Sequence, residues 1–494
     1  MAQTAEPSLK QKTTKGIFWG GISNGVQQLL SAGFGIALAR ILTQADYGLV
    51  GMLGIFSGIA ITIVNCGFSV ALTNKQKVEH KDYNAVFWFT VFVGVFLYGV
   101  LFFCAPFIGR FFNQPELIPL SRFLFLIFLI SGASTASYTV MFKAMMTKQQ
   151  AIIDSLSMLI ALSIGIVLAI NGFAYWALAT QMVVQYCLTA ILRLIVAPWK
   201  PTFHIDFTPL KSLLSFSFKL FLTNIFIQIN SYIFSIVFGK LYNATIVGIY
   251  SQGQKWMIMG QQFIGGTINY ITQPVLVQVN EDKNRQSNIF RKLTRFGAFV
   301  SFPLMLGLAF IGKEFILITI GEKWLSSVPF LQLSCIWGSV MFLSALYINL
   351  IYSHGKFDWY LYGTMVIGFL QLATVLCLYP WGIFAMVIGY TVTCFIGLAI
   401  WQHYASKIIC LRLRDVLKDT LPYLTVTLVC FSITWLLTKN IVNLYVLITA
   451  KTGISIVLYV VILRYSRSII YKESLSFLLE RFRFIKNKGM SSIN

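Results

Sequence analysis

The sequence has few charged residues, and acidic residues are the scarcest of them. Charged residues make up 11% of the 494 residues, with 16 Asp and Glu against 38 Lys and Arg. Soluble domains usually carry about 25% charged residues, so this composition excludes an ordinary soluble globular protein. The net charge of +22 does not indicate nucleic-acid binding, because the cations lie in short gaps between apolar runs and no soluble domain offers a basic face.

Residues that hold metals, form disulfides or bind nucleotides are also sparse. The four His and eight Cys show neither metal-ligand spacing nor a disulfide framework, and the sequence has no Gly-rich phosphate loop. We therefore expect no metal site and no cofactor. Nearly all carboxylates fall in predicted loops, and no long outer loop carries acid and base groups, so we expect a protein that is not an enzyme.

Long apolar runs fill the chain instead. Hydrophobic residues make up 57% of it, and the mean hydropathy is +0.76. Because a hydrocarbon core takes about 20 apolar residues per helix, these runs predict an all-α polytopic membrane protein. About 14 transmembrane helices are predicted, at 17–39, 47–72, 84–107, 118–141, 151–171, 173–197, 213–239, 245–276, 294–312, 326–352, 359–379, 381–403, 420–438 and 441–464. Glycine and polar interruptions leave a count of twelve or thirteen open.

The orientation follows from the cations between the spans. Most Lys and Arg residues lie in alternate gaps, beginning with the N-terminal segment and ending with the C-terminal tail. The opposite gaps hold only Arg40, Arg110, Arg122, Lys240, Lys313, Lys323 and Lys439. Since cytoplasmic loops are enriched in cations, both termini are predicted to be cytoplasmic.

A stretch near the N-terminus recurs 200 positions later. Phe18, Asn24, Gln28, Ser31, Phe34, Ile36 and Gly48 match Phe218, Asn224, Gln228, Ser231, Phe234, Ile236 and Gly248, and Arg40 matches Lys240. Such self-similarity predicts two related halves, which would be parallel repeats. Chance likeness between two apolar helices is the alternative.

The repeat and the basic link at 198–211 suggest a division of the chain. We expect an N-terminal six-helix lobe at 1–200 and a C-terminal six-helix lobe at 201–410. Two further C-terminal transmembrane helices and a basic cytoplasmic tail would occupy 411–494.

Polar residues inside three spans are the candidate substrate-binding groups. They recur at helical spacing, so each set lies on one face of its helix. The candidates are Asn24, Gln28, Asn224, Gln228, Gln254, Lys255, Gln261 and Gln262. Polar groups are costly in lipid, so the three faces together favour a water-filled cavity. Interhelical hydrogen bonding, at about 0.6 kcal/mol for each bond, is the alternative for any single amide.

Two lysines lie inside predicted spans. Lys255 would face water or an anionic ligand, because an uncompensated Lys in the membrane costs at least about 2.5–3.5 kcal/mol. Snorkelling to an interface is the competing explanation. Lys451 has the same ambiguity, since a shifted last span would place it at the outer surface.

Five further residues are candidates for gating or for shaping turns: Arg40, Asp46, Gly48, Lys240 and Gly248. Arg40 and Lys240 would lie at outer helix ends, where a cation is favoured by the helix dipole. Gly48 and Gly248 would permit close chain turning.

Three short segments carry a family resemblance. Ile17-Phe18-Trp19, Ala39-Arg40-Ile41-Leu42 and Asp46-Tyr47-Gly48 resemble the polysaccharide flippase family, the Wzx-like branch of the multidrug/oligosaccharidyl-lipid/polysaccharide exporter superfamily. The resemblance implies a transporter in the bacterial cytoplasmic (inner) membrane. It would move undecaprenyl-diphosphate-linked oligosaccharides from the inner to the outer leaflet by alternating access, for lipopolysaccharide O-antigen, capsule or exopolysaccharide synthesis.

The same resemblance implies contact with membrane lipids, coupling to H⁺ or Na⁺, and a polysaccharide polymerase as partner machinery. The alternatives are an ion-coupled multidrug antiporter or a peptidoglycan-precursor flippase of the same superfamily. A membrane glycan polymerase or ligase is the alternative from the enzyme class.

Overall fold

The computed structural model describes residues 9–65, 68–75 and 77–466, and they fold almost entirely into helices. No strand occurs within these residues, which confirms the all-α prediction. Most of the predicted basic tail lies outside them. The α-helices are α1 (Leu9–Ile41), α2 (Gln44–Asn65), α3 (Phe68–Asn74), α4 (His80–Phe112), α5 (Leu117–Leu124), α6 (Leu126–Lys143), α7 (Thr147–Ile170), α8 (Tyr175–Val196), α9 (Leu210–Ser231), α10 (Ile233–Leu241), α11 (Ala244–Gln278), α12 (Lys283–Phe310), α13 (Gly312–Thr319), α14 (Val328–Gly338), α15 (Met341–Ser353), α16 (Phe357–Leu378), α17 (Ile383–Ile409), α18 (Leu413–Thr438) and α19 (Leu444–Tyr465). Two 3₁₀ helices cover Glu322–Ser327 and Tyr379–Trp381.

Many of these helices are long and apolar enough to cross a membrane. Across the described residues there are 11 such helices, or up to 12 if α9 and α10, which meet at a 42° bend, form one span. The predicted number of 14 is therefore not confirmed. Helices α1 and α11 coincide with the first and eighth predicted spans, but both carry several amide side chains that lower their apolar character. The protein is a multi-pass membrane protein.

The helices group into two compact units. The first unit comprises Met1–Ser251 and Thr364–Leu372, and the second comprises Gln252–Gly363 and Ala373–Asn494. The division into two six-helix lobes and a C-terminal pair stays a prediction.

In the first unit, α4 and α6 pack at backbone distance through two glycines. A Cβ on Gly94 would lie 2.6 Å from the Phe128 oxygen, and one on Gly132 would lie 2.4 Å from the Thr90 oxygen. The Thr90 hydroxyl donates to the Gly132 carbonyl at 2.8 Å. Small residues and hydroxyl bonds of this kind join helices that have no hydrophobic drive to associate within lipid.

The link between α8 and α9 is fastened to one face of α4. Asn84 accepts from the Thr202 N–H at 2.9 Å and donates to the His204 carbonyl. One turn further along α4, the Trp88 indole N–H donates to the Thr202 carbonyl at 2.7 Å. Thr208 donates both its N–H and its hydroxyl to Asp206, which lowers the pKa of that carboxyl. The link is therefore an ordered segment.

In the second unit, α12 is the helix around which the others pack. It contacts α14, α15 and α18, and α18 in turn packs against α19. Two buried carboxylates, Asp419 and Glu314, join the C-terminal helices to the rest of this unit through ion pairs. One of these pairs settles the position of Lys451, because its ammonium is buried within the unit and lies 2.8 Å from Glu314.

Candidate functional site

The predicted polar face of α1 is only partly covered by protein. Asn24 is exposed and Gln28 is half-buried. Their sequence neighbours make a bond along the helix, since the Gln27 amide donates to the Ser23 hydroxyl at 2.8 Å. The exposed Asn24 therefore points away from the packed part of the first unit, and its role in binding stays a prediction.

Gln228 on α9 makes a defined interhelical contact. Its amide donates to the Gly58 carbonyl at 3.2 Å and lies 3.4 Å from the Thr62 hydroxyl, both on α2. Tyr232 follows one turn later and packs against Gly54. Asn224, four residues before Gln228, is exposed. The two candidates of this helix therefore differ in environment, although the sequence gives them the same face.

Gly48 and Gly248 meet each other's helix in a reciprocal contact. A Cβ on Gly48 would lie 1.7 Å from the Ala244 oxygen, and a Cβ on Gly248 would lie 1.9 Å from the Gln44 oxygen. The contact thus pairs each glycine with the residue four positions before the other. This symmetry is what the 200-residue offset predicts if the two stretches are related copies. The glycines serve a close crossing between the first turns of α2 and α11, within the first unit.

The other turn candidates lie close to this crossing. Asp46, the third residue of α2, is buried and accepts hydrogen bonds from the N–H at 2.8 Å and the hydroxyl at 2.7 Å of Thr43, the residue before the helix, so it fixes the start of α2. Lys240 donates to the Phe111 carbonyl at 2.7 Å, at the C-terminal end of α4, where a cation stabilises the helix dipole. Arg40 is exposed at the end of α1.

In the second unit, α11 carries a cluster of polar groups without protein partners. Gln252 is 1% exposed, and neither its amide nitrogen nor its amide oxygen has a hydrogen-bond partner among the described residues. The indole nitrogen of Trp256, four residues further along, is also buried and also has no hydrogen-bond partner among the described residues. Both side chains lie on one face of α11, and we call this pair, together with Lys255, the α11 cluster.

Lys255 completes the α11 cluster with a charge. It is half-buried, its ammonium lies 5.7 Å from the centre of the Trp256 ring, and no carboxylate of the described residues pairs with it. The Trp256 ring itself is fixed by edge-to-face packing on Phe315 at 5.0 Å. Unpaired polar groups cost several kcal/mol in lipid, so the α11 cluster is suited to water or to a polar, anionic ligand.

The remaining candidates on α11 lie further along the helix. Gln254 is half-buried, and Gln262 is exposed. Gln261 is buried and donates to the Gly338 carbonyl of α14. Gln254 therefore lies beside the α11 cluster, whereas Gln261 forms a contact between α11 and α14.

Gln252 and Trp256 are the residues that sequence reasoning misses. Their spacing of four is the same signal that singles out the neighbouring face with Gln254 and Lys255. The sequence does not show which of two adjacent faces is covered by other helices, and the structure places Gln252 and Trp256 on the covered one.

Known proteins resemble this chain over much of its length. The family model described as "Polysaccharide biosynthesis protein" matches residues 37–329. An uncharacterized membrane protein in the cps region of Klebsiella pneumoniae is 27% identical over 71% of this chain and 73% of its own length. The lipopolysaccharide biosynthesis protein WzxC of Escherichia coli K12 is 23% identical over 67% of this chain and 68% of its own. The teichuronic acid biosynthesis protein TuaB of Bacillus subtilis is 24% identical over 77% and 78%.

Solved structures show the same fold. The lipid II flippase MurJ in an inward closed conformation superposes with a TM-score of 0.71 at 14% identity, covering 92% of this chain and 99% of that one. An inward-facing multidrug resistance transporter of the MATE family superposes with a TM-score of 0.64 at 14% identity, covering 77% and 95%.

Proposed function

The chain belongs to the polysaccharide biosynthesis protein family, and on that premise we propose that it flips lipid-linked oligosaccharides across the bacterial cytoplasmic membrane. The cargo would be an undecaprenyl-diphosphate-linked glycan, moved from the inner to the outer leaflet for O-antigen, capsule or exopolysaccharide synthesis. Family membership supports a transporter rather than an enzyme. Both termini would be cytoplasmic, as the distribution of cations predicts.

The observation that carries the proposal is the α11 cluster. A flipped lipid-linked glycan has two polar parts, a diphosphate and a sugar, which must both leave water. Lys255 supplies an ammonium for the diphosphate, and the Gln252 amide can both donate to and accept from sugar hydroxyls. The Trp256 ring offers a flat apolar surface with one donor, the combination that aromatic side chains bring to polar binding sites.

The gating candidates fit an alternating-access cycle. Transporters built from parallel repeats expose a central site to each side in turn. The Gly48 and Gly248 crossing holds the first turns of α2 and α11 at backbone distance, and it would have to loosen when these turns separate. Asn24, Gln28, Asn224, Gln228, Gln254, Gln261 and Gln262 stay predicted cavity residues, and a coupling ion, H⁺ or Na⁺, and a polymerase partner stay predictions too.

The multidrug alternative is less well supported by the charges. Export of a cationic drug calls for a carboxylate that is available to the drug. The two buried carboxylates of the second unit, Glu314 and Asp419, already pair with Lys451 and with two arginines. A free cation on α11 suits an anionic cargo better.

The direct test uses purified protein in lipid vesicles loaded with an undecaprenyl-diphosphate-linked glycan. Flipping is read as the fraction of glycan that a membrane-impermeant glycosidase can reach from outside. We expect Lys255→Met to slow flipping about tenfold or more, because a hydrogen bond to a charged group contributes about 1.5–3 kcal/mol. Lys439→Met removes an exposed cation and is the matched control. Equal glycan accessibility with and without the wild-type protein would overturn the proposed function.

Gln252→Met separates binding from folding. The buried amide has no protein partner, so replacing it with an apolar side chain of similar size should leave thermal stability unchanged or raise it. If the amide serves the cargo, flipping should fall while the protein stays folded. Unchanged flipping at unchanged stability would remove Gln252 from the site.

A further inference from the structure

Two arginines of α12 share one carboxylate of α18 at the end of the second unit where both helices begin. Arg291 holds Asp419 with two bonds, Nε to Oδ2 at 2.7 Å and Nη2 to Oδ1 at 3.2 Å. The Arg295 Nε lies 3.3 Å from the same Oδ1. The Asp419 side chain is 6% exposed, whereas the Arg291 and Arg295 side chains are 32% and 31% exposed. We call these three residues the arginine pair site.

The charges of this site do not cancel. Asp419 neutralises one of the two guanidinium groups, so these three residues together carry a single positive charge. Asp415, one turn earlier on α18, lies near enough to act electrostatically on Arg291. Both terminal nitrogens of Arg295 and the Nη1 of Arg291 have no acceptor within the part of the chain that the structure describes. These N–H groups are partly exposed and are held in place by the bonds that the same guanidinium groups make to Asp419.

The surroundings add to the positive charge. Eight cations and three carboxylates lie in 282–295 and 412–419, which cover the first turns of α12 and α18. The cations are Lys283, Arg285, Arg291, Lys292, Arg295, Arg412, Arg414 and Lys418, and the carboxylates are Asp282, Asp415 and Asp419. An anion that approaches this end of the second unit therefore meets an attractive field.

The site also lies at the boundary of the apolar part of the unit. Arg295 is the last charged residue before the uncharged run 296–312, and Asp419 is the last before 420–438. One turn deeper, Phe299 packs between Tyr423 at 6.2 Å and Tyr459 at 6.0 Å, and the Tyr459 hydroxyl donates to the Phe299 carbonyl. Tyrosines are enriched at membrane–water interfaces, so this pattern supports placing the guanidinium groups at the depth of lipid headgroups.

We infer that the arginine pair site binds the phosphate of an anionic phospholipid in the adjacent leaflet, the cytoplasmic one in the predicted orientation. A guanidinium fork matches two phosphate oxygens, and the single surplus charge matches the single negative charge of a phosphodiester. The lipid tails would then lie along the apolar run that starts one turn deeper. Basic pockets between transmembrane helices recognise lipid headgroups in this way.

The test compares lipid binding by the full-length protein in detergent, with native mass spectrometry counting the bound lipids. The probes are phosphatidylglycerol, zwitterionic phosphatidylethanolamine and inorganic phosphate. We expect the wild-type protein to retain phosphatidylglycerol selectively. The Arg295→Gln variant should bind phosphatidylglycerol about fivefold more weakly, because one cation near an anionic lipid surface contributes about 1 kcal/mol. Lys439→Gln removes an exposed cation that follows the opposite end of α18, outside this group of cations, and should leave the affinity unchanged.

Several outcomes would overturn the inference. Equal affinity for phosphatidylglycerol in the wild type and in Arg295→Gln would do so, as would equal retention of phosphatidylethanolamine. Displacement of the lipid by millimolar inorganic phosphate would show a site for free phosphate instead. Should Arg295→Gln fold poorly, Arg295→Lys keeps the charge without the planar fork, and full phosphatidylglycerol affinity in Arg295→Lys would contradict the role of the fork. None of these results depends on the cargo that the protein flips.

Discussion

The second unit contains two ion networks that join its C-terminal helices to the rest, and the two are built differently. Glu314 of α13 and Lys451 of α19 form a one-to-one pair at 2.8 Å, with side chains 9% and 11% exposed. The arginine pair site places two cations on one carboxylate, and both cations are about one-third exposed. One network is buried and neutral, and the other is half-open and carries a surplus charge.

This difference indicates different roles. A buried neutral pair has no charge left for a ligand, and the Lys451 ammonium is further enclosed by the Phe310 ring at 4.8 Å. Such a pair fixes the position of α19 against α13, because either charge alone would be costly in that environment. The surplus positive charge of the arginine pair site lies where water and headgroups can solvate it, so it is available for binding.

The largest effect is expected when the buried pair is broken. Lys451→Met leaves the Glu314 carboxylate buried without a counter-ion, which should destabilise the protein by about 3–5 kcal/mol. Thermal unfolding in detergent would measure this, with Lys439→Met as the exposed control. The double variant Glu314→Gln with Lys451→Met should recover most of the loss, because no uncompensated charge remains. A Lys451→Met protein as stable as the wild type would show that the pair does not hold α19 in place.

A smaller effect is expected at the half-open network. Asp419→Asn leaves two guanidinium groups facing each other, but water reaches both, so the cost should be about 1–3 kcal/mol. The same variant should bind phosphatidylglycerol more tightly than the wild type, since its site has gained a net positive charge. Thermal unfolding and lipid titration would measure the two effects. A loss of stability as large as that of Lys451→Met would contradict the distinction between the networks.

Composition and periodicity are enough to predict the fold class, but not these networks. Apolar runs of membrane length predict the all-α polytopic architecture, which the structure confirms. The partners Glu314 and Lys451 are 137 positions apart in sequence, and no local pattern joins them. The sequence therefore assigns Glu314 to a short outer gap and leaves Lys451 ambiguous, whereas packing brings them together.

The candidate site shows the same limit on a smaller scale. Helical spacing identifies polar faces on three helices, and it singles out Lys255 because a lone cation in a span needs an explanation. Helical spacing does not show that Gln228 donates a hydrogen bond to α2, or that the amide of Gln252 is buried without a hydrogen-bond partner among the described residues. The repeat, in contrast, identifies Gly48 and Gly248 as equivalent positions, and the structure shows that these two positions meet in one close contact.

The smallest effect, and the sharpest comparison, comes from salt. Screening shortens the Debye length from about 10 Å at 0.1 M to about 3 Å at 1 M, and it acts on charges that water reaches. A double-mutant cycle on Arg295→Gln and Asp419→Asn should give a coupling of about 0.2–1 kcal/mol at low salt, and 1 M NaCl should remove most of it. The equivalent cycle on Lys451→Met and Glu314→Gln should give a larger coupling that changes little, because salt does not penetrate the buried pair. If 1 M NaCl weakened both couplings equally, then Lys451 and Glu314 would be as open to solvent as the arginines, and the buried pair would not be a distinct anchor of α19.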